Sequence, residues 1–293
     1  MEKASAGVCL AHVTIEVRRP DRWKGFLASV SEGRARVEWL EPGSFGSMSR
    51  ALRIRPGRAD DLVALGLAWS APAEFEAALA RLAARGVVAE PIERPGVLRA
   101  AQCEDPAGNR LELLLQDGED VATESWPVGH VALAHAEPEA LTAFYGDVIG
   151  FRLNETLRTR LGPIALRGGF LGGARRHHSI AVLNVPSRRR LGHVMFEAPD
   201  ILTVLRAADR ARRAGIPFSL DLGQHPPPDG TTSFYAGSPS GFDIEIGGDS
   251  QDFAASEDAA PGESATTSAW GHAPSLRTRL RVAQAMALEK LGF

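Results

Sequence analysis

Polar and apolar residues alternate with period two through Leu10-Ala11-His12-Val13-Thr14-Ile15-Glu16-Val17, the pattern of a strand with one face buried. A run of the same kind, Val128-Gly129-His130-Val131-Ala132-Leu133, leads into residues 137–145, where apolar positions fall at helical spacing. Two further strand-like runs, Leu65-Gly66-Leu67-Ala68-Trp69 and Leu191-Gly192-His193-Val194-Met195-Phe196, precede helical patterns over 73–85 and 201–214. Gly86 and Gly215 follow those patterns, as left-handed helix-ending residues do. Each of these two units closes on a turn and a strand: Asp105-Pro106-Ala107-Gly108-Asn109-Arg110-Leu111-Glu112-Leu113 in one, Ser238-Pro239-Ser240-Gly241-Phe242-Asp243-Ile244-Glu245-Ile246 in the other. Alternation then puts Glu112 and Glu245 on matching faces. The pattern predicts four repeats of strand, helix and further strands, an α+β fold built from two pairs of βαβββ modules.

Residues 116–126 are polar and acidic with no periodicity, which places a domain boundary between an N-terminal pair over 1–120 and a C-terminal pair over 121–250. Beyond Gly248 the chain turns to Ser, Ala, Asp, Glu and Gly through about Ala269, the composition of a mobile or surface-wrapped segment. Residues 276–293 carry Leu280, Val282, Ala283, Met286, Leu288 and Leu291 among Arg and Lys, predicting an amphipathic helix that docks on the body or on another subunit.

A formal charge of −3 supplies no basic field for nucleic acid or an anionic membrane, so a small-molecule partner is expected. Cys9 and Cys103 lack the spacing of a zinc knuckle and the density of a disulfide framework. No apolar run approaches the ~18–20 residues of a membrane span, and the N-terminus lacks the apolar core of a signal peptide. The expected location is the cytoplasm.

Where the two halves are compared position by position, the C-terminal half reads His130, His193 and Glu245, and the N-terminal half His12, Leu67 and Glu112. Two imidazoles and one carboxylate filling one face of a metal, with adjacent positions open, suit a non-haem Fe(II) oxygenase. Leucine cannot replace an imidazole, so the second half is expected to bind metal and the first to be structural. A lone strand histidine is more often a packing residue than a ligand. An inward carboxylate between Ile244 and Ile246 is costly without a cation, and three such residues at equivalent places in successive units favour the metal. His178 falls where a strand crosses the pocket, a site for an acid/base near pH 7, whereas His177 beside Arg175 and Arg176 reads as a surface histidine. Tyr235 can aim its hydroxyl at a metal-bound oxygen, or be an ordinary core aromatic.

These residues resemble the vicinal oxygen chelate (glyoxalase-like) superfamily, and within it the two-domain type I extradiol dioxygenases of the 2,3-dihydroxybiphenyl 1,2-dioxygenase kind. The likeness spans about residues 8–250 and is densest at Ser233-Phe234-Tyr235-Ala236-Gly237-Ser238-Pro239-Ser240-Gly241-Phe242-Asp243-Ile244-Glu245. It implies that His130, His193 and Glu245 ligate iron, that His178 is the acid/base, and that Tyr235 and His225 hydrogen-bond the bound catecholate. Phe170, Leu183 and Val185 match positions lining the distal ring pocket. Between His225 and Tyr235 the chain departs from the family pattern, with Pro226-Pro227-Pro228-Asp229-Gly230 one residue longer than expected.

The resemblance implies cleavage of a bicyclic or aryl-substituted catechol by O2 beside its diol, giving a 2-hydroxy-6-oxo-dienoate with no organic cofactor. Mn(II) shares the ligand set with Fe(II), and relatives usually form homo-oligomers. Two competing readings are another metalloenzyme of the superfamily, a glyoxalase-like isomerase or thiol transferase, and a non-catalytic protein that buries an aromatic ligand. The first would complete the metal shell with a further carboxylate; the second has no reason to keep the three ligands together.

Overall fold

The computed structural model describes residues 7–47, 49–116, 124–161, 164–173, 176–185, 187–250, 253, 260–276 and 278–280. The first half runs β1 (Cys9–Val17), α1 (Pro20–Ser31), β2 (Val37–Trp39), β3 (Ala51–Pro56), β4 (Asp61–Trp69), α2 (Pro72–Ala84), β5 (Glu90–Pro91), β6 (Arg99–Glu104) and β7 (Arg110–Leu115). The second runs β8 (Val128–Ala134), α3 (Pro138–Ala143), a π-helical turn (Phe144–Ile149), β9 (Arg152–Leu161), β10 (Ile164–Gly172), β11 (Ile180–Leu183), β12 (Leu191–Glu197) and α4 (Ile201–Arg213). It continues through β13 (Phe218–Gln224), β14 (Thr232–Gly237), β15 (Asp243–Gly248), β16 (Gly262–Ser264) and β17 (Trp270–Gly271).

Two sheets result, ordered β2-β3-β1-β4-β7-β6-β5 and β16-β9-β10-β11-β8-β12-β15-β14-β13-β17. Their centres share one pairing scheme. In the first, β3 lies parallel to β1, β1 antiparallel to β4, and β4 parallel to β7. In the second, β11, β8, β12 and β15 repeat those relations in the same order. The mixed sheets are built from the paired modules expected from the repeats. Helix ends follow local chemistry. Prolines open α1, α2 and α3 at their first turns, where the missing N–H costs nothing. The Asp200 carboxylate caps α4 by accepting from Thr203 N at 2.7 Å. Gly86 and Gly215 close α2 and α4 at φ 72° and 70°, where a Cβ would strain the backbone. The helical turn that opens at Pro138 runs on to Ile149, past the expected end at 145, because Val148 and Ile149 continue the buried apolar face.

One continuous core links the halves, from Trp23 and Phe75 through Tyr145 to Phe234. The helices carry the contact: α1 packs on α4, and Arg210 donates to the carbonyls of Ser29 and Val30. Trp23 is fully buried, with its indole N–H donating to Ser240 Oγ at 2.9 Å across the junction. Tyr145 donates from the second half to Asp105 Oδ2 of the first at 2.8 Å. A third tie is ionic: Glu197 accepts from Arg50 at 2.7 Å and from Arg176 at 2.5 Å.

The segment through about Ala269, read as mobile or surface-wrapped, and the residues just past it include two ordered pieces. Strand β16 pairs with β9 and β17 with β13, so the chain joins opposite edges of the second sheet. Backbone hydrogen bonds need no particular side chains, which is why composition did not reveal them. Most of the amphipathic stretch over 276–293 lies outside the described residues.

Candidate metal centre and its pocket

Strands β8, β12 and β15 are neighbours, and register sets three of their side chains on one face. Met195 of β12 stands opposite His130 on one side and Glu245 on the other, and His193 is two residues before Met195. The result is a tight cluster. His130 Nε2 lies 2.9 Å from His193 Nε2 and 3.0 Å from Glu245 Oε2, and His193 Nε2 lies 3.2 Å from the same oxygen. Glu245 is fully buried, yet Oε2 makes no hydrogen bond of acceptable geometry. Three donor atoms about 3 Å apart, one of them an orphaned buried carboxylate oxygen, fit a divalent cation bonded at about 2.0–2.2 Å to each. Burial works to raise the Glu245 carboxyl, but the three imidazoles of His130, His193 and His225 hold it well below the usual carboxylate range. Burial pushes the His130 ring below its ordinary value, toward the neutral form that a metal needs.

The first half has a different counterpart. Gly66 of β4 stands opposite both His12 and Glu112, as Met195 stands opposite His130 and Glu245. The residue two before it, opposite Thr14 and Arg110, is Ala64, and Ala64 rather than Leu67 therefore matches His193. Leu67 is three residues further along, on the opposite face, wholly buried in the core. The absence of a second imidazole stands, with a different residue in its place. Arginine occupies the neighbourhood: Arg94 donates to both oxygens of Glu112 at 2.7 and 3.0 Å, and Arg53 Nη1 meets His12 Nδ1 at 2.9 Å. Against the effect of burial, His12 and Arg94 hold the Glu112 carboxyl well below its usual range. A guanidinium here supplies positive charge beside the buried carboxylate, where the second half has two imidazoles.

A cavity of about 380 Å³ opens above the cluster. It brings together His178, His225 and Tyr235 near the triad, and Phe170, Leu183 and Val185 on the wall. His178 flanks His130 with ring centroids 4.2 Å apart, and Tyr235 flanks His193 at 5.1 Å. Phe170 covers His178 at 5.0 Å. Burial, with the nearby rings of His130, His177 and His225, drives the His178 ring well below the ordinary histidine value, so it is neutral at pH 7. His225 moves the other way, up to about 9: burial opposes the charge, but the bond to Glu245 and that carboxylate's charge outweigh it. Its Nε2 is 3.0 Å from the Tyr235 hydroxyl and 3.4 Å from Glu245 Oε1. The Tyr235 phenol is pushed well above its normal range by burial and by Glu245.

His177 is not the surface residue its arginine neighbours suggested. It is 6% exposed, with Nδ1 3.1 Å from His178 Nδ1 and Nε2 3.5 Å from Glu155 Oε2. Arg176 turns away to Glu197, which lets the next residue enter the interior. The longer loop after His225 keeps Asp229 on the cavity wall, where it accepts from Thr231 Oγ1 at 2.7 Å. Sequence reasoning missed His272, Thr267 and Ser268, which also line the cavity. Trp270-Gly271-His272, breaking the run of small polar residues, was the available signal.

Residues 128–246 match the Glyoxalase/Bleomycin resistance protein/Dioxygenase superfamily. An iron-dependent extradiol dioxygenase of Rhodococcus jostii is 31% identical, the match covering 90% of this chain and 96% of the relative. A biphenyl-2,3-diol 1,2-dioxygenase of Sphingomonas paucimobilis is 29% identical over 81% of this chain and 87% of its own length. Among solved structures, 2,2',3-trihydroxybiphenyl 1,2-dioxygenase of Sphingomonas wittichii shares the fold with a TM-score of 0.78, at 23% identity, over 92% of this chain and all of that one.

Proposed function

The chain belongs to the extradiol dioxygenases of the glyoxalase/bleomycin resistance protein/dioxygenase superfamily, and from that premise we propose that His130, His193 and Glu245 hold its iron and that the cavity takes an aryl-substituted or bicyclic catechol. The observation that carries the ligand assignment is the buried, hydrogen-bond-less Glu245 Oε2 within 3.2 Å of the two imidazole nitrogens of His130 and His193, whose side chains line the cavity. Fe(II) held by these three residues would bring the catechol and O2 together and mediate electron transfer between them.

The protein's own groups divide the remaining work. Tyr235 and His225, joined by their 3.0 Å contact, face the oxygens of a catechol seated over the triad and fix its orientation. His178 lies on the opposite flank, buried and neutral, so it can take a proton from the diol and return one as the ring opens. Phe170 and Leu183 close the wall against water and contact the distal ring. Both atoms of O2 enter the product, a 2-hydroxy-6-oxo-dienoate.

The biphenyl-diol dioxygenases among the relatives support the bicyclic substrate, as does the wall of Leu166, Phe170, Leu183 and Val185, which offers a second ring apolar contact that a lone catechol cannot use. The test is steady-state turnover of 2,3-dihydroxybiphenyl against catechol: kcat/KM at least about tenfold higher for the biaryl supports the reading, and a preference for catechol overturns it. No helix among the described residues is long and apolar enough to cross a membrane, and a cytoplasmic setting suits the chemistry. Self-association is proposed through the exposed Ile201, Leu202 and Leu205 of α4.

A further inference from the structure

Residues 262–272 form a strap. Strand β16 lies on one edge of the second sheet and β17 on the other, and Thr266, Thr267 and Ser268 between them line the cavity. The strap's approach to β13 is unusually close. Ala269 N donates to Gln224 O at 2.8 Å and His272 N to Leu222 O at 3.1 Å. A Cβ on Gly271 would stand 2.2 Å from Leu222 O, and one on Gly223 2.3 Å from His272 N, so this pairing needs glycine on both strands. Gly271 also has φ 70°.

That approach delivers two groups to the site. The Thr267 carbonyl lies 2.7 Å from His225 Nδ1. A carbonyl only accepts, so the ring donates to it through Nδ1–H, and its other nitrogen is turned to the Tyr235 hydroxyl and Glu245. The His272 ring packs 4.6 Å from that of His225 and 5.6 Å from that of Tyr235. Its Nε2 is fixed by Ser233 Oγ at 3.1 Å, a side chain with no exposure.

We infer that the strap is a working part of the catechol site: the Thr267 carbonyl and the His272 ring are positioning groups that fix the orientation of His225, and through it the Tyr235 hydroxyl. The inference rests on the catechol reading of the pocket, which gives His225 and Tyr235 their task. An imidazole held at Nδ1 and packed on one face has a single orientation left, which removes the entropy of finding it in each turnover.

The test uses full-length protein labelled with 15N-histidine. In the metal-free wild type, the His225 Nδ1–H is expected as a slowly exchanging resonance, assigned by its loss in His225→Gln. Gly271→Ala, which lifts β17, and His272→Ala, which removes the packed ring, are each expected to broaden or abolish it. In the iron-loaded enzyme both variants are expected to lose roughly tenfold or more in kcat, with KM and iron content changed far less. A retained, protected resonance with kcat within about twofold of wild type overturns the inference; either variant suffices if the other does not fold. A wild type that turns over no catechol contradicts the proposed function instead, and the resonance still decides whether the strap holds His225.

Discussion

Ala64 stands in the first sheet at the register position that His193 holds in the second: each lies opposite the residue two beyond its sheet's first histidine and two before its glutamate. The two sheets thus present the same geometry with and without a second imidazole. Where it is missing, Arg94 binds both oxygens of Glu112; where it is present, Glu245 Oε2 faces two histidines and no hydrogen-bond donor in line. One fold meets the buried-carboxylate problem with a guanidinium in one half and with a proposed metal site in the other.

His193→Ala is expected to abolish iron retention and turnover with little change in melting temperature. His12→Ala should keep kcat per bound iron within about twofold of wild type, because the first half contributes no ligand. Iron content by metal analysis and oxygen uptake check both; full turnover in verified iron-free His193→Ala protein would refute the ligand assignment.

His178→Gln should retain iron yet lose on the order of 10²–10⁴ in kcat, the worth of a positioned acid/base group. Single-turnover kinetics on protein of measured iron content separates this from a metal defect. Unchanged kcat would remove His178 from the mechanism.

Enlarging the wall should act on the distal ring alone. Leu183→Trp is expected to raise KM for 2,3-dihydroxybiphenyl about tenfold or more while leaving catechol within about threefold. Equal losses on both substrates would place the second ring elsewhere.

The Arg50–Glu197–Arg176 tie between the halves predicts a pH dependence. The two arginines outweigh the effect of burial and lower the Glu197 pKa from 4.5 to about 2. A carboxylate depressed in the folded state contributes stability in full above its unfolded value, and loses it as pH falls from about 4.5 through 2. Glu197→Gln should therefore unfold at lower denaturant concentration than wild type at pH 7, and the gap should narrow as pH falls toward 2. A gap that does not vary with pH contradicts this.

Much of this was legible in the chain. Alternation and Pro/Gly turns marked the strand of each proposed ligand, and a carboxylate between Ile244 and Ile246 announced its own cost. The register of the first half was misread because Leu65-Gly66-Leu67 looks like Leu191-Gly192-His193, whereas strand pairing aligns Ala64 with His193. With a side-chain period of two, an error of three residues exchanges the cavity face for the core face. His177 was misjudged from its charged neighbours, since only the tertiary partner Glu197 shows where Arg176 goes. His272 lay hidden because its pairing is made by the backbone of glycines distant in sequence, Gly223 and Gly271.

The most direct test of the central claim is anaerobic addition of Fe(II) to the purified protein, followed by 2,3-dihydroxybiphenyl and air, with oxygen uptake and visible absorbance recorded together. The account predicts one O2 consumed per yellow ring-opened product, and none in the Glu245→Ala variant. Bound iron with no oxygen uptake on any mono- or bicyclic catechol, or equal turnover by the Glu245→Ala protein, would contradict it.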